Sequence, residues 1–190
     1  LELESRDVSN GMLGSLACES AVQLGLTVRI RILLHPASVM PVSWGTWRAT
    51  LLLPAEAAKW TRERLRAVML HELGHVKRRD CLAQQLVHLA CSLNWFNPLS
   101  WLASRRMKME RESACDDLVL EQGIEPADYA EVLLSIAKTI RGGAPSSLAV
   151  VAMATPSTLE RRVRMILDNR RSRRPLTVFV VSLGSLVAVG

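Results

Sequence analysis

A mainly helical α+β domain with a small antiparallel β-sheet near its N-terminus is the fold class this chain predicts. Two observations carry that expectation. Apolar residues recur with a period of two only before Pro54, and at helical spacing through most of the chain that follows. Prolines and glycines then fall where helices should start and stop, at Pro98, Gly123 and Gly142. The 190 residues are 49% hydrophobic and 22% charged, which suits one ordered domain with a sizeable core and excludes a disordered chain.

Taken in order, Ser9 to Leu24 mixes small and apolar residues and reads as a short helix. From Leu26 to Leu34, Leu26, Val28, Ile30 and Ile32 alternate with Thr27, Arg29 and Arg31, the pattern of a half-exposed strand. A turn at Trp44, Gly45 and Thr46 precedes an apolar strand, Ala49 to Leu53. Pro54, Ala55 and Glu56 resemble a helix start, and a long helix is expected from Thr61 through Arg79. Further helices are expected over Cys81 to Leu93, Pro98 to about Gln122, Ala127 to Arg141 and Ser157 to Asn169. Asn97 and Pro98 open the second of these, since proline suits a first helical position. The stretch from Gly142 to Thr155 reads as a connector.

The net charge of +6 has one source. Seven arginines, Arg161, Arg162, Arg164, Arg170, Arg171, Arg173 and Arg174, lie within fourteen residues beside a single Asp168, and the rest of the chain is neutral. A pI near 9.7 invites nucleic-acid binding. An apolar run from Pro175 to Gly190 follows at once, however, and basic residues flanking an apolar span mark the cytoplasmic side of a membrane. Sixteen residues fall short of the roughly 20 that cross a bilayer, so the run is read as the first part of a transmembrane helix. Direct binding of nucleic acid is not expected. Cys18, Cys81, Cys91 and Cys115 show no paired short spacing and suit buried thiols in a reducing compartment. Five of the eight aromatics are tryptophan, a residue favoured at membrane and partner interfaces.

His71-Glu72-Leu73-Gly74-His75 is an HExxH motif within the expected long helix. Histidines at i and i+4 share a face, so both imidazoles reach one metal ion. Glu72 stands about 100° around the helix, near a metal-bound water without taking a ligand position. Zinc lowers the pKa of such a water to about 7 while the carboxylate accepts its proton. A hydrolytic zinc site needs a third protein ligand. Glu110, Glu112, Asp116 and Asp117 lie downstream on one expected helix, and spacing alone does not choose among them. Glu112 and Asp116 are four apart, so one can bind metal while the other orients a histidine.

The runs HELGHVKRRD, NWFNPLSWLA and ERESACDDLVL, in that order, closely resemble the BlaR/MecR-type antirepressor metallopeptidases. Pro41 to Gly45, Tyr129 with Ala130, and Leu159 to Val163 look similar too, so the likeness spans roughly residues 26–167. That resemblance implies a gluzincin-like fold and a zinc site of His71, His75 and Glu112, with Asp116 in support. The glutamate four residues before an aspartate is also similar to CAAX-processing and HtpX-like peptidases. The family likeness further implies a multi-pass inner-membrane signalling protein with this domain, residues 1–170, on the cytoplasmic side. Residues 175–190 would then begin a membrane helix in contact with lipid. Its substrate would be a cytosolic protein, a transcriptional repressor above all, and the protein would also process itself.

Two other functions compete: a zinc-binding signalling module that no longer cuts, and a DNA-binding regulator using the basic segment. The intact Glu72 argues against the first, since a structural site needs no such carboxylate. Of the remaining candidates, Asp80 is expected to pair with Arg78, Arg79 or a distant arginine. His88 is read as structural or as a partner of a reaction intermediate, and His35 as a loop residue. Trp95, Phe96 and Trp101 are expected in the core by default, with the cleft wall or a membrane surface as alternatives. The exposed sheet edge is a place where a peptide strand could add.

Overall fold

The computed structural model describes residues 4–37, 39–142 and 156–168. Its elements are β1 (Arg6–Asp7), α1 (Met12–Gln23), β2 (Arg29–His35), β3 (Val42–Trp44) and β4 (Arg48–Pro54). A short 3-10 turn (Ala55–Lys59) leads into α2 (Arg62–Lys77), α3 (Asp80–Leu93), α4 (Pro98–Glu121), α5 (Pro126–Gly142) and α6 (Pro156–Leu167). The α+β class follows directly from this order. Most of the expected connector, from residue 143 onward, and the apolar run from Pro175 to Gly190 lie outside the described residues.

The four strands form one sheet in the order β1-β2-β4-β3. β1 and β3 pair antiparallel with their neighbours, but β2 and β4 run parallel, with Ile32 opposite Leu51. The sheet is therefore mixed, which corrects the purely antiparallel expectation. Leu51, Leu52 and Leu53 are all buried, so the sheet has to cover both faces of β4 and it takes a central place. The short β3, following Pro41, is left at the edge. β2 shows the expected alternation in its first half, whereas Leu33 and His35 are buried alongside Ile32 in the second.

α2 is the axis of the domain. Ten of its 16 residues are buried, because it touches α1, β3, α3, α4 and α5. Thr61 caps it, its Oγ1 accepting a hydrogen bond from the Arg64 N–H at 3.3 Å. Gly74 faces α4, where an added Cβ would stand in ordinary contact, 3.4 Å from both Cys115 Sγ and Leu118 Cδ1. The long helix ends two residues earlier than expected, at a corner where Arg79 adopts φ 56° and ψ 38°. A left-handed non-glycine residue costs about 1–2 kcal/mol. What that corner achieves is local: it starts α3 at Asp80 and turns the Asp80 carboxylate back onto α2.

α4 begins as expected, with the Asn97 side chain accepting from Leu99 N–H at 2.9 Å and Pro98 in its first turn. It stops before Gly123, whose φ of +79° a side chain would resist. Pro54 to Glu56 makes only the single 3-10 turn. One correction concerns the hairpin of α3 and α4. Trp95, Phe96 and Trp101 are 72%, 70% and 50% exposed rather than core residues. The core cluster is made by α1, the sheet, α2, and the inner faces of α4, α5 and α6, and among the described residues Trp95, Phe96 and Trp101 are no part of it.

Candidate metal centre

Two turns of α2 and one of α4 bring three donors together. His71 Nε2 lies 3.6 Å from Glu112 Oε2, and His75 Nε2 lies 3.9 Å from Glu112 Oε1. One ligand atom from each of the three residues falls within 4.8 Å of the other two. Zinc holds nitrogen and oxygen ligands at about 2.0–2.2 Å in a tetrahedron, so its ligands sit roughly 3.4 Å apart. The trio fits that span. Glu110 is exposed and paired with Arg161 at 3.2 Å, so it points elsewhere. Asp117 is half-buried and joins no such cluster.

The far side of each imidazole is occupied. Tyr129 Oη donates to Asp116 Oδ1 at 2.7 Å and stands 2.9 Å from His71 Nδ1, which is itself 3.2 Å from Asp116 Oδ1. With the tyrosine O–H directed at Asp116, its oxygen accepts from His71 Nδ1–H, and Nε2 faces Glu112. Arg162 completes this buried group. Its Nε and Nη2 donate to both Asp116 oxygens at 2.9 and 2.6 Å, a two-pronged pair with little solvent access.

His75 is held differently. Its Nδ1 lies 2.7 Å from Asp80 Oδ2, so it too carries its proton on Nδ1 and aims Nε2 at Glu112. Arg78 Nε stands 3.5 Å from the other Asp80 oxygen, so the expected arginine pairing exists alongside the histidine contact. Cys115 Sγ approaches His75 Nδ1 at 3.2 Å. Burial pushes the Cys115 thiol far above its usual range, and the Asp80 charge adds to this.

Electrostatics follows from the packing. Burial alone would lower the His71 imidazole, but its hydrogen bonds to Asp116 and Glu112 override it and hold the ring at about 9 when no metal competes. Burial opposes ionisation of Glu112, yet His71 beside it and Arg162, 3.5 Å away, bring it down to about 2. Asp116 is held well below the usual carboxylate range by Arg162 and His71 despite its burial. Glu112 and Asp116 thus both present charged carboxylates.

His71, His75, Asp80, Glu112, Tyr129 and Arg162 line a cleft of about 810 Å³. It is also lined by Val42, Ser43 and Trp44 of β3 and by Arg105 and Lys108 of α4. Glu72 is buried at the cleft floor, next in the chain to His71. Ser43 Oγ donates to the Glu72 carbonyl at 2.9 Å, tying the edge strand to the motif helix. His88 is exposed on α3 and does not line the cleft. His35 ends β2, buried, with its Nδ1 accepting from the Ala37 N–H at 3.1 Å.

Sequence reasoning gave no site role to Tyr129 or Arg162. Tyr129 was available as the chain's single tyrosine, and Arg162 precedes the buried Ile166 by four residues on an amphipathic helix.

Residues 9–166, nearly everything from α1 to the end of α6, match the family described as BlaR1 peptidase M56. The chain is similar to the regulatory protein BlaR1 of Bacillus licheniformis, 28% identical over 189 residues, covering 95% of this chain and 31% of that protein. It is similar also to the methicillin resistance mecR1 protein of Staphylococcus aureus and of Staphylococcus epidermidis, each 24% identical over 156 residues. Those matches cover 77% of this chain and 27% of each relative, so the chain spans less than a third of the proteins it resembles. With the family matched across most of its length, the chain belongs to the BlaR1 peptidase M56 family.

Proposed function

We propose that this chain is a zinc-dependent endopeptidase domain in which His71, His75 and Glu112 hold the metal and Glu72 is the catalytic base. The observation that carries this reading is the orientation of the two imidazoles: both have Nδ1 engaged by a buried carboxylate system and both turn Nε2 toward one glutamate. Zinc bound there would act as a Lewis acid, acidifying water and polarising the scissile carbonyl, with one coordination position left open. The rest is done by the chain. Glu72 accepts the proton of the attacking water and returns it to the leaving amine. Asp116 and Asp80 keep His71 and His75 in the tautomer that offers Nε2.

The outer edge of β3 borders the cleft, and among the described residues no strand pairs with it. An extended substrate segment adds there as a further strand, its main chain hydrogen-bonded to β3. The Ser43 link to the Glu72 carbonyl keeps that strand in register with the base. The substrate we assign is a cytosolic protein, a transcriptional repressor, cut within a membrane-bound signalling protein that also processes itself. This assignment is supported by the likeness to a regulatory protein and to resistance proteins.

The test is a Glu72→Gln variant of the zinc-loaded protein, assayed on peptide libraries and on itself. It should keep one zinc per chain and lose hydrolysis by about 10²–10⁴-fold, the usual worth of a positioned acid–base group. Hydrolysis at the parental rate would remove Glu72 from its role. A parental protein that binds zinc and cuts nothing would instead support a silent zinc-binding signalling module.

A further inference from the structure

The α3–α4 hairpin carries an apolar surface that is left exposed among the described residues. On α3, Leu82, Leu86, Leu89 and Leu93 repeat at steps of four, three and four, forming one helical stripe. Such a stripe normally packs inward, yet these leucines are 48%, 67%, 57% and 70% exposed. Only Asp80 and Cys91 of α3 are buried. The stripe continues around the tip through Trp95 and Phe96 and into the first turns of α4 at Leu99, Trp101 and Leu102, all exposed. Contiguous apolar surface of this kind marks a contact with something else.

Charge identifies the partner's chemistry. From Cys81 through Met109 there is no aspartate or glutamate, while Arg105, Arg106 and Lys108 add three positive charges, all exposed. Lys77, Arg78 and Arg79, at the other end of the hairpin's base, are exposed as well. An apolar tip with tryptophan and phenylalanine, with no carboxylate from Cys81 through Met109 and a collar rich in basic residues, matches a bilayer whose interior is apolar and whose headgroups are anionic. A second copy of the chain would set two such basic collars against each other. α3 has 14 residues, about 21 Å long, and among the described residues no helix is long and apolar enough to cross a membrane. A hairpin of that length suits the interface of a bilayer rather than a span across it.

We propose that the α3–α4 hairpin seats this domain on an anionic lipid surface, with Trp95, Phe96 and Trp101 immersed and the basic collar at the headgroups. Cys81, Gln84, Arg105 and Lys108, at the hairpin's base, also line the cleft. Seating the hairpin thus places the cleft mouth beside the membrane, within reach of segments held near its surface. The lipid contact does not depend on the peptidase reading.

Tryptophan quenching tests it on the full chain. Vesicles of phosphatidylglycerol carrying brominated acyl chains should quench the emission on binding. A Trp95→Phe/Trp101→Phe variant keeps an apolar tip, so it should still sediment with vesicles but lose most of the quenching. The apolar run from Pro175 to Gly190 contains no tryptophan, so binding through it alone leaves emission unquenched. Binding should weaken several-fold when salt shortens the screening length from roughly 30 to roughly 3 Å, and when phosphatidylcholine replaces phosphatidylglycerol. Absent vesicle binding, binding without quenching, or quenching unchanged in the double variant would each overturn the proposal. Equal binding to phosphatidylcholine would overturn the anionic requirement. Self-association that buries Trp95, without vesicle binding, would assign the face to a second copy instead.

Discussion

His71 and His75 stand one turn apart on α2 and offer the same nitrogen to the same glutamate, yet they are held in place by different means. His75 is oriented by Asp80, five residues on, through a corner of the chain at Arg79. His71 is oriented by Asp116 from α4, Tyr129 from α5 and Arg162 from α6, which meet only when the helices close. The first arrangement is local and somewhat open, with the His75 side chain 17% exposed against 10% for His71. The second is buried and shared among four groups. One imidazole is thus set by a turn, the other by the completed fold, and damage to the two supports should look different.

The largest effect is expected from Asp116→Ala. It leaves the Arg162 guanidinium buried without its two-pronged partner, and breaking a buried pair on one side costs about 3–5 kcal/mol. Urea unfolding of the metal-free variant should show that loss, and metal uptake should fail with it. Asp80→Ala should act on the metal more than on the fold. Losing the carboxylate behind a ligating histidine lowers metal affinity about 10–100-fold, while one part-buried hydrogen bond is worth about 1 kcal/mol to stability. Metal titration beside the same unfolding curves separates the two variants. Should Asp80→Ala cost the fold more than Asp116→Ala, the contrast between local and global support is wrong.

A milder perturbation is pH. In the metal-free protein the His71 ring, ordinarily at 6.5, is held up at about 9 once its bonds to Asp116 and Glu112 outweigh burial. A raised folded-state value means that the stabilisation is fully present below 6.5 and is lost as pH rises through about 9. Unfolding curves across that window should show declining stability, and His71→Gln should flatten the decline. A rise in stability with pH over the same window would contradict the assignment.

This contrast also explains what could be read from the chain. The HExxH pair was legible because helical spacing alone puts both imidazoles on one face. The helix boundaries at Thr61, Pro98 and Gly123 were legible through caps and breakers. The choice of Glu112 over Glu110, Asp116 and Asp117 rested on family likeness, since four carboxylates on one helix differ only in what faces them. Here Glu110 meets Arg161, Asp116 meets Arg162, and Glu112 meets the histidines. Arg162 stayed hidden in a basic run that reads as a solvated face, although it is buried. The parallel pairing of β2 and β4 was equally illegible, because strand order follows from which strand must be covered on both sides. Trp95 and Phe96 misled for a related reason: hydrophobicity alone does not say whether the apolar surroundings come from the domain's own core.

Zinc K-edge absorption on the loaded protein tests the central claim most directly, because a second donor cluster lies close by. His75, Asp80 and Cys115 also bring ligand atoms within 4.8 Å of one another. Coordination by His71, His75 and Glu112 predicts a shell of nitrogen and oxygen only, near about 2.0–2.1 Å, with two imidazole signatures. A sulfur scatterer at about 2.3 Å, lost in Cys115→Ser, would place the metal in the neighbouring cluster and contradict the site.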